Sequence, residues 1–233
     1  QDVTHWSKEL HEAINRADAV YPLAALVGAP LCDKFHDKTI SLNQIWQETL
    51  VGILHNQICV YPNTNSAYGS VEGICTEETP INPLSLYAKT KQAAEDAHMT
   101  RKRSVCYRLA TVFGSSPRPR TDLLINNLVG VASQKKPVEI FDGQFRRNYI
   151  HIDDLINALT FPLARQEMCG STYNVGNDSL NMTKGDLIKE ICRLVGGTWS
   201  EVDNRTDPDK RDYEVSSQKI YDVGFRCTRN LEY

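Results

Sequence analysis

Gln57-Ile58-Cys59-Val60-Tyr61 and Ser104-Val105-Cys106-Tyr107-Arg108-Leu109 bracket the segment that decides the fold, Ser85 to Arg101, which is rich in Ala, Lys, Gln and Glu. Two short, largely apolar runs separated by a stretch of good helix formers form the strand–helix–strand pattern of a parallel sheet. Towards the N-terminus, Ala19-Val20-Tyr21 reads as a strand end, followed by the small residues Ala24-Ala25 and Gly28-Ala29, and Ile40 to Leu54 has helical spacing. Towards the C-terminus the composition shifts at the Pro-rich, basic loop Ser115-Ser116-Pro117-Arg118-Pro119-Arg120. Beyond it, helices are predicted over Thr121–Ser133, Asp153–Arg165 and Thr183–Val195, with Asp153 and Thr183 as N-caps. Asp203 to Asp212 is polar and charged, and reads as a loop. The fold class expected from this alternation is α/β.

The 26 basic and 29 acidic side chains leave a formal net charge of −3, which lacks the basic field of a nucleic-acid binder. No apolar run approaches the roughly 20 residues of a membrane helix. The opening Gln1-Asp2-Val3-Thr4-His5-Trp6 has no signal-peptide pattern and no initiator Met, so the expectation is that the function belongs to a longer chain. Seven cysteines (32, 59, 75, 106, 169, 192 and 227) contain no Cys-x-x-Cys pair, which argues against a disulfide framework or a structural metal site. They read as small buried hydrophobes in a reducing, cytoplasmic protein.

Tyr87 and Lys91 stand four residues apart in the helical stretch, so both side chains fall on one face. A tyrosine titrates near 10 and shuttles protons poorly at neutral pH; a neighbouring ammonium stabilises the phenolate and makes it a usable acid or base. With 10 Tyr and 12 Lys, chance alone supplies about half a pair at this spacing. The pair gains meaning from its surroundings. Tyr61-Pro62-Asn63-Thr64-Asn65-Ser66-Ala67-Tyr68-Gly69 is a hydroxyl-rich segment directly after a strand, where α/β sheets place binding residues.

With these pieces in order, the chain resembles the extended short-chain dehydrogenase/reductase superfamily, in its NAD-dependent nucleotide-sugar epimerase/dehydratase group. The matching blocks are Leu23-Ala24-Ala25, Asn43, Thr64 four residues before Tyr68-Gly69, and Tyr87-Ala88-Lys89-Thr90-Lys91. Further on come Arg108 to Gly114, Arg147 to Asp154, Tyr173-Asn174-Val175-Gly176 and Arg211-Asp212. The resemblance implies a Rossmann-like, doubly wound parallel sheet whose first βαβ unit is absent from this sequence, with a smaller C-terminal substrate-binding region. It divides the chain into 1–114, a partial dinucleotide-binding domain to which 145–170 returns, and a substrate region of 115–144 and 171–233.

The resemblance also implies roles. Tyr87 is the catalytic acid/base, Lys91 holds the nicotinamide ribose and depresses the Tyr87 pKa, and Thr64 hydrogen-bonds the reacting sugar oxygen. Asp2-Val3 meets the adenine, Leu23, Ala24 and Ala25 line the adenosine ribose, and Asn43 braces that region or contacts the cofactor; Thr111 lies on the cofactor side. Asn65, Asn127, Arg147 and Arg211 fall on the substrate side, the arginines suited to gripping a diphosphate, with Arg118 and Arg120 as further candidates. His151 reads as a packed strand histidine. The cofactor implied is NAD, with NADP open, and the assembly a homodimer built by the 40–54 and 85–101 helices.

Several departures shape the expected reaction. Dehydratases of this group follow the Thr with Asp-Glu; here Asn65-Ser66 cannot ionise, so water elimination lacks an acid or base there. A 4-epimerase acting through a keto-sugar is the function expected, with a keto-sugar reductase, a dehydratase and a non-catalytic dinucleotide-binding relative as alternatives. Arg-Asp-Tyr/Phe is replaced by Arg147-Asn148-Tyr149. No G-x-G-x-x-G occurs, so the pyrophosphate cradle and the acidic residue that selects NAD are both missing from the sequence. The span from Asn43 to Thr64 is short for a helix, a loop and a strand.

Overall fold

The computed structural model describes residues 3–5, 7–202 and 212–232. It separates into two compact units: Gln1–Gly69, Pro80–Leu109 and Leu159–Tyr173 form the first, and Ser70–Thr79, Ala110–Ala158 and Asn174–Tyr233 the second. Elements are numbered along the chain.

The first unit is built on a sheet in the order β1 (Ala19–Val20), β2 (Ile58–Thr64), β4 (Ser104–Leu109), β8 (Ser171–Val175). β1 runs parallel to β2, pairing Ala19 with Ile58, and β2 runs parallel to β4 from Cys59–Ser104 to Thr64–Leu109. Residues 58–61 and 104–108 are buried at every position, as strands covered on both faces must be. β2 continues past the expected end at Tyr61 to Thr64. Pro62 is tolerated because β1 pairs only with the first two residues of β2, leaving no ladder on that side for the proline to break.

Helix α5 (Leu86–Met99) connects β2 to β4 and packs on both. It starts where the Ser85 hydroxyl accepts the Ala88 N–H at 3.2 Å. The helical stretch expected over 40–54 is three pieces in continuous succession: α3 (His36–Ile40), a π turn (Ser41–Ile45) and α4 (Trp46–Ile53). The short connection from α4 to β2 is closed by Gln57, which accepts the His55 N–H and donates to the Ile14 carbonyl. This cap role explains why Gln57 precedes the strand and is not its first residue. α1 (Lys8–Arg16) and α2 (Ala29–Lys34) complete the unit's longer helices.

The second unit holds a three-stranded sheet, β5 (Thr111–Phe113), β7 (Arg146–His151) and β9 (Asn177–Thr183), parallel between the first two and antiparallel between the last two. Two small parallel pairs join it: β6 (Val138–Ile140) with β10 (Trp199–Glu201), and β3 (Ile74–Cys75) with β11 (Glu214–Val215). Its core is apolar, with Phe113, Leu128, Tyr149, Leu187, Ile188 and Ile191 among the residues packed together. Helices α6 (Leu124–Ser133) and α8 (Lys184–Val195) pack face to face over it.

Thr183 caps α8 as expected, accepting the Asp186 N–H at 3.0 Å. Asp153 does not cap α7 (Ile152–Thr160): the helix starts one residue earlier, and the His151 ring Nδ1 accepts the Asp153 N–H. α7 also ends at Thr160 and not Arg165, because Pro162 forces a 3₁₀ turn over Phe161–Ala164. α6 begins at Leu124, since Asn126 and Asn127 use their side chains on the carbonyls of Arg120 and Thr121 and hold that stretch as a loop. Residues 203–211 of the expected polar loop lie outside the described residues. No helix among the described residues is long and apolar enough to cross a membrane.

Candidate active site

α5 carries Tyr87 in its first turn and Lys91 one turn later. Tyr87 is half-buried, whereas Lys91 is only 4% exposed. Its ammonium lies 4.2 Å from the centre of the Tyr61 ring, and the Tyr61 hydroxyl donates to the Lys91 carbonyl at 3.3 Å. Burial lowers the Lys91 pKa to about 7, against the raising influence of Cys106 and Glu95. The Tyr61 phenol moves the other way: burial raises it well above its usual value, and neighbours including Cys106, Tyr87 and Glu95 add to the rise. Tyr61 is therefore a neutral platform beneath a lysine whose ammonium is poorly solvated.

Below that platform the polar groups continue inward. The His98 ring stacks on Tyr61 at 4.6 Å, with Nε2 3.0 Å from the Gln47 side-chain oxygen and Nδ1 3.6 Å from Cys59 Sγ. Burial, then the charges of Lys91 and Arg101, push His98 down to about 3, so the ring is neutral. Burial pushes Cys59 up to about 12, so it is a thiol that donates to Nδ1, and Nε2–H donates to Gln47. This assignment satisfies both ring nitrogens.

Thr64, the last residue of β2, caps the 3₁₀ turn Asn65–Tyr68. Its hydroxyl accepts the Ser66 N–H at 3.2 Å and donates to the Ser66 hydroxyl at 3.0 Å. Asn65 is 1% exposed, and neither atom of its side-chain amide has a hydrogen-bond partner among the described residues. Each orphan costs about 1–3 kcal/mol, which marks a group with a use elsewhere. The turn closes at Gly69, whose φ of +75° and 2.3 Å approach of a notional Cβ to the Asn82 carbonyl leave room only for glycine. α5 packs against this turn as well as against β2.

Four residues to which the sequence analysis gave no site role connect these parts. Glu95 lies one turn beyond Lys91 and is 3% exposed; its carboxylate accepts from Arg108 Nη2 at 2.7 Å and Nε at 3.1 Å, and from Asn63 Nδ2 at 2.5 Å. Arg108 Nη1 donates to the Tyr68 hydroxyl at 3.0 Å. Burial opposes the Arg108 charge, but Glu95 outweighs it and holds the guanidinium pKa above its usual value. The available signal was the i, i+4 spacing of Lys91 and Glu95, which places a carboxylate on the same face.

Of the positions expected to meet the cofactor, Leu23 is exposed and Ala24 and Ala25 are half-buried in the segment after β1. Asn43, in the π turn, accepts the Leu26 N–H at 2.9 Å and donates to the Leu26 carbonyl at 2.8 Å, so its whole amide holds this segment in place. Val3 packs against the cluster of Ile14, Trp46, Leu50, Leu54 and Cys59. Asp2 lies outside the described residues.

The other expected positions belong to the second unit. Thr111 is half-buried in β5. Arg147 is 7% exposed, donates to the Arg146 carbonyl at 2.8 Å and stacks 5.5 Å from the Tyr213 ring centre. Asn127 is exposed and bonded to the Thr121 carbonyl, and Arg118 is exposed. Arg120 forks onto Asp122 at 2.7 and 2.6 Å. His151 is buried edge-on against Phe113. Asn148 donates to the Asn177 carbonyl, while its oxygen has no hydrogen-bond partner among the described residues and lies beside Gly176, where any Cβ would collide with it. Arg211 lies outside the described residues.

Known proteins bear on this arrangement. The profile of the NAD dependent epimerase/dehydratase family matches residues 2–176. The "Uncharacterized UDP-glucose epimerase YtcB" of Bacillus subtilis is 32% identical over 178 residues, covering 72% of this chain and 56% of that protein. A dTDP-glucose 4,6-dehydratase of Neisseria gonorrhoeae is 30% identical over 144 residues, 57% of this chain and 40% of its own. The chain thus spans about half the length of these curated relatives. Among solved structures, MoeE5 in complex with UDP-glucose and NAD superposes with a TM-score of 0.85 at 23% identity, over 100% of this chain and 80% of that one, which establishes a common Rossmann-type fold. The parallel α/β sheet and the family match lead to one conclusion: this chain belongs to the NAD-dependent epimerase/dehydratase family.

Proposed function

We propose that this chain carries the proton-transfer site of a nucleotide-sugar 4-epimerase that uses NAD. The observation that carries the reading is the Tyr87–Lys91 pair on one face of α5, its lysine buried over Tyr61. Tyr87 and Lys91, with Ala24 and Ala25 in the segment that Asn43 braces, would hold the cofactor, whose chemistry when bound is to accept and return a hydride. The residues present suit such a guest: the small side chains of Ala24 and Ala25 follow β1 and leave the backbone there approachable. The Gly-rich cradle for the pyrophosphate is not part of this sequence.

Tyr87 removes the proton from the reacting sugar hydroxyl and later restores it. Lys91 lowers the cost of the phenolate by placing a poorly solvated ammonium on the same helix face. The Thr64 hydroxyl, which donates to Ser66 here, can rotate its proton onto the reacting sugar oxygen and orient it. Asn65 offers a neutral donor and acceptor to a neighbouring sugar hydroxyl, and cannot ionise to drive elimination. Arg147 and Arg211 are the candidates for the substrate diphosphate, since guanidinium forks match phosphate oxygens.

The test is turnover of UDP-glucose with NAD by the wild-type protein and Tyr87→Phe. Loss of an acid/base group predicts a fall of about 10²–10⁴-fold in kcat with an unchanged circular-dichroism spectrum. Equal turnover by the two proteins would overturn the proposal.

A further inference from the structure

We propose that the buried Glu95–Arg108 pair is a positioning clamp that fixes the strand end bearing Thr64 against the helix bearing Tyr87 and Lys91. The inference rests on the reading of those three residues as the reacting group. Its basis is how the hydrogen bonds are distributed. Arg108, on β4, donates to Glu95 Oε1 through Nη2 and Nε, with Nε also reaching Oε2 at 3.3 Å, and Oε2 receives Asn63 from β2, the residue before Thr64. Arg108 then extends its remaining nitrogen to the Tyr68 hydroxyl, at the far end of the turn that Thr64 caps. The turn is thus held at both ends by one ion pair, whose carboxylate α5 carries and whose guanidinium β4 carries.

The backbone around the turn has little freedom to compensate. The Asn82 N–H donates to the Ala67 carbonyl at 3.0 Å, and Gly69 admits no other residue. A shift of Tyr68 therefore passes along the 3₁₀ turn to Thr64. Both partners of the pair are nearly inaccessible, with side chains 3% and 8% exposed, so water cannot substitute for a lost bond. A buried ion pair is a poor source of net stability compared with apolar packing, which leaves geometry as the property it supplies here.

Tyr68→Phe breaks only the Arg108–Tyr68 link of the clamp and keeps the ring. Glu95→Gln keeps the shape and removes the charge; Asn63 can turn its amide so that its unpartnered oxygen accepts from the new nitrogen. Glu95→Ala removes both shape and charge. A clamp predicts that Tyr68→Phe lowers kcat about tenfold to a hundredfold, the scale of a sub-ångström misplacement of reacting groups, with KM within about twofold. It predicts that Glu95→Gln retains more kcat than Glu95→Ala. It also predicts that amide hydrogen exchange accelerates in residues 65–69 while β4 stays protected.

A staple that acts only on stability would instead lower Tm and speed exchange throughout the unit, with kcat per folded molecule unchanged; that result overturns the proposal. If the wild-type protein turns over no nucleotide-sugar, the functional reading fails by itself. Exchange then decides the clamp: acceleration confined to 65–69 in Tyr68→Phe supports it, and uniform or absent acceleration overturns it.

Discussion

The two units bury polar groups in different ways. Beside α5, in the first unit, buried side chains bond to one another across elements: Glu95 to Arg108 and Asn63, His98 to Gln47, and Lys91 to the face of Tyr61. In the second unit, the carboxylate of the fully buried Asp154 accepts the backbone N–H groups of Thr228 and Arg229, and Asn148 donates to a backbone carbonyl. Around them stands an apolar cluster that includes Leu187, Ile188 and Ile191. Polar side chains bonded to backbone brace a packed body. Polar side chains bonded to each other create a low-dielectric pocket of tuned charges, and they do so at a cost in stability.

The comparison breaks most sharply at the second unit's core. Leu187→Ala is expected to lower the unfolding free energy by about 2–5 kcal/mol in urea titrations, since a fully buried leucine leaves both lost transfer energy and a cavity. Lys91→Met should do the opposite at neutral pH, raising stability by on the order of 1–4 kcal/mol while abolishing turnover. Because burial places Lys91 near 7 in the folded chain, against about 10.5 unfolded, the folded state binds fewer protons across that window. Stability therefore rises with pH from about 7 to 10.5, a slope that Lys91→Met should erase.

A smaller effect lies on the acid side. His98 titrates near 3 in the folded chain and near 6.5 unfolded, so stability falls as pH drops from about 6.5 towards 3. Unfolding curves at pH 7 and pH 4 should lie closer together for His98→Gln than for the wild type. The smallest change sharpens the second unit's side of the contrast: Thr183→Ala removes the cap of α8 and should cost about 1 kcal/mol.

Much of the scaffold was legible because it is written in local periodicity. The runs at 58–61 and 104–109, buried at nearly every position, announced parallel strands, and the Ala-rich stretch between them announced a helix, which runs from Leu86 to Met99. The errors came where a tertiary partner overruled a local preference. Asp153 has the chemistry of a cap, yet His151 performs that task from the preceding strand. Pro62 looked like the end of β2, yet the early end of β1 removes its penalty. In the candidate site, Tyr87 and Lys91 were visible through their i, i+4 spacing, while Glu95 was passed over because its partners are scattered along the chain.

By itself, the sequence determined that a tyrosine and a lysine share one helix face after a hydroxyl-rich strand end, since helical periodicity needs only neighbouring residues. Only the tertiary structure decided what surrounds them. Lys91 meets Tyr61 across 30 positions, Glu95 meets Arg108 across 13 and Asn63 across 32. Charge states in the site depend on desolvation and on these distant partners, and neither is encoded in spacing along the chain.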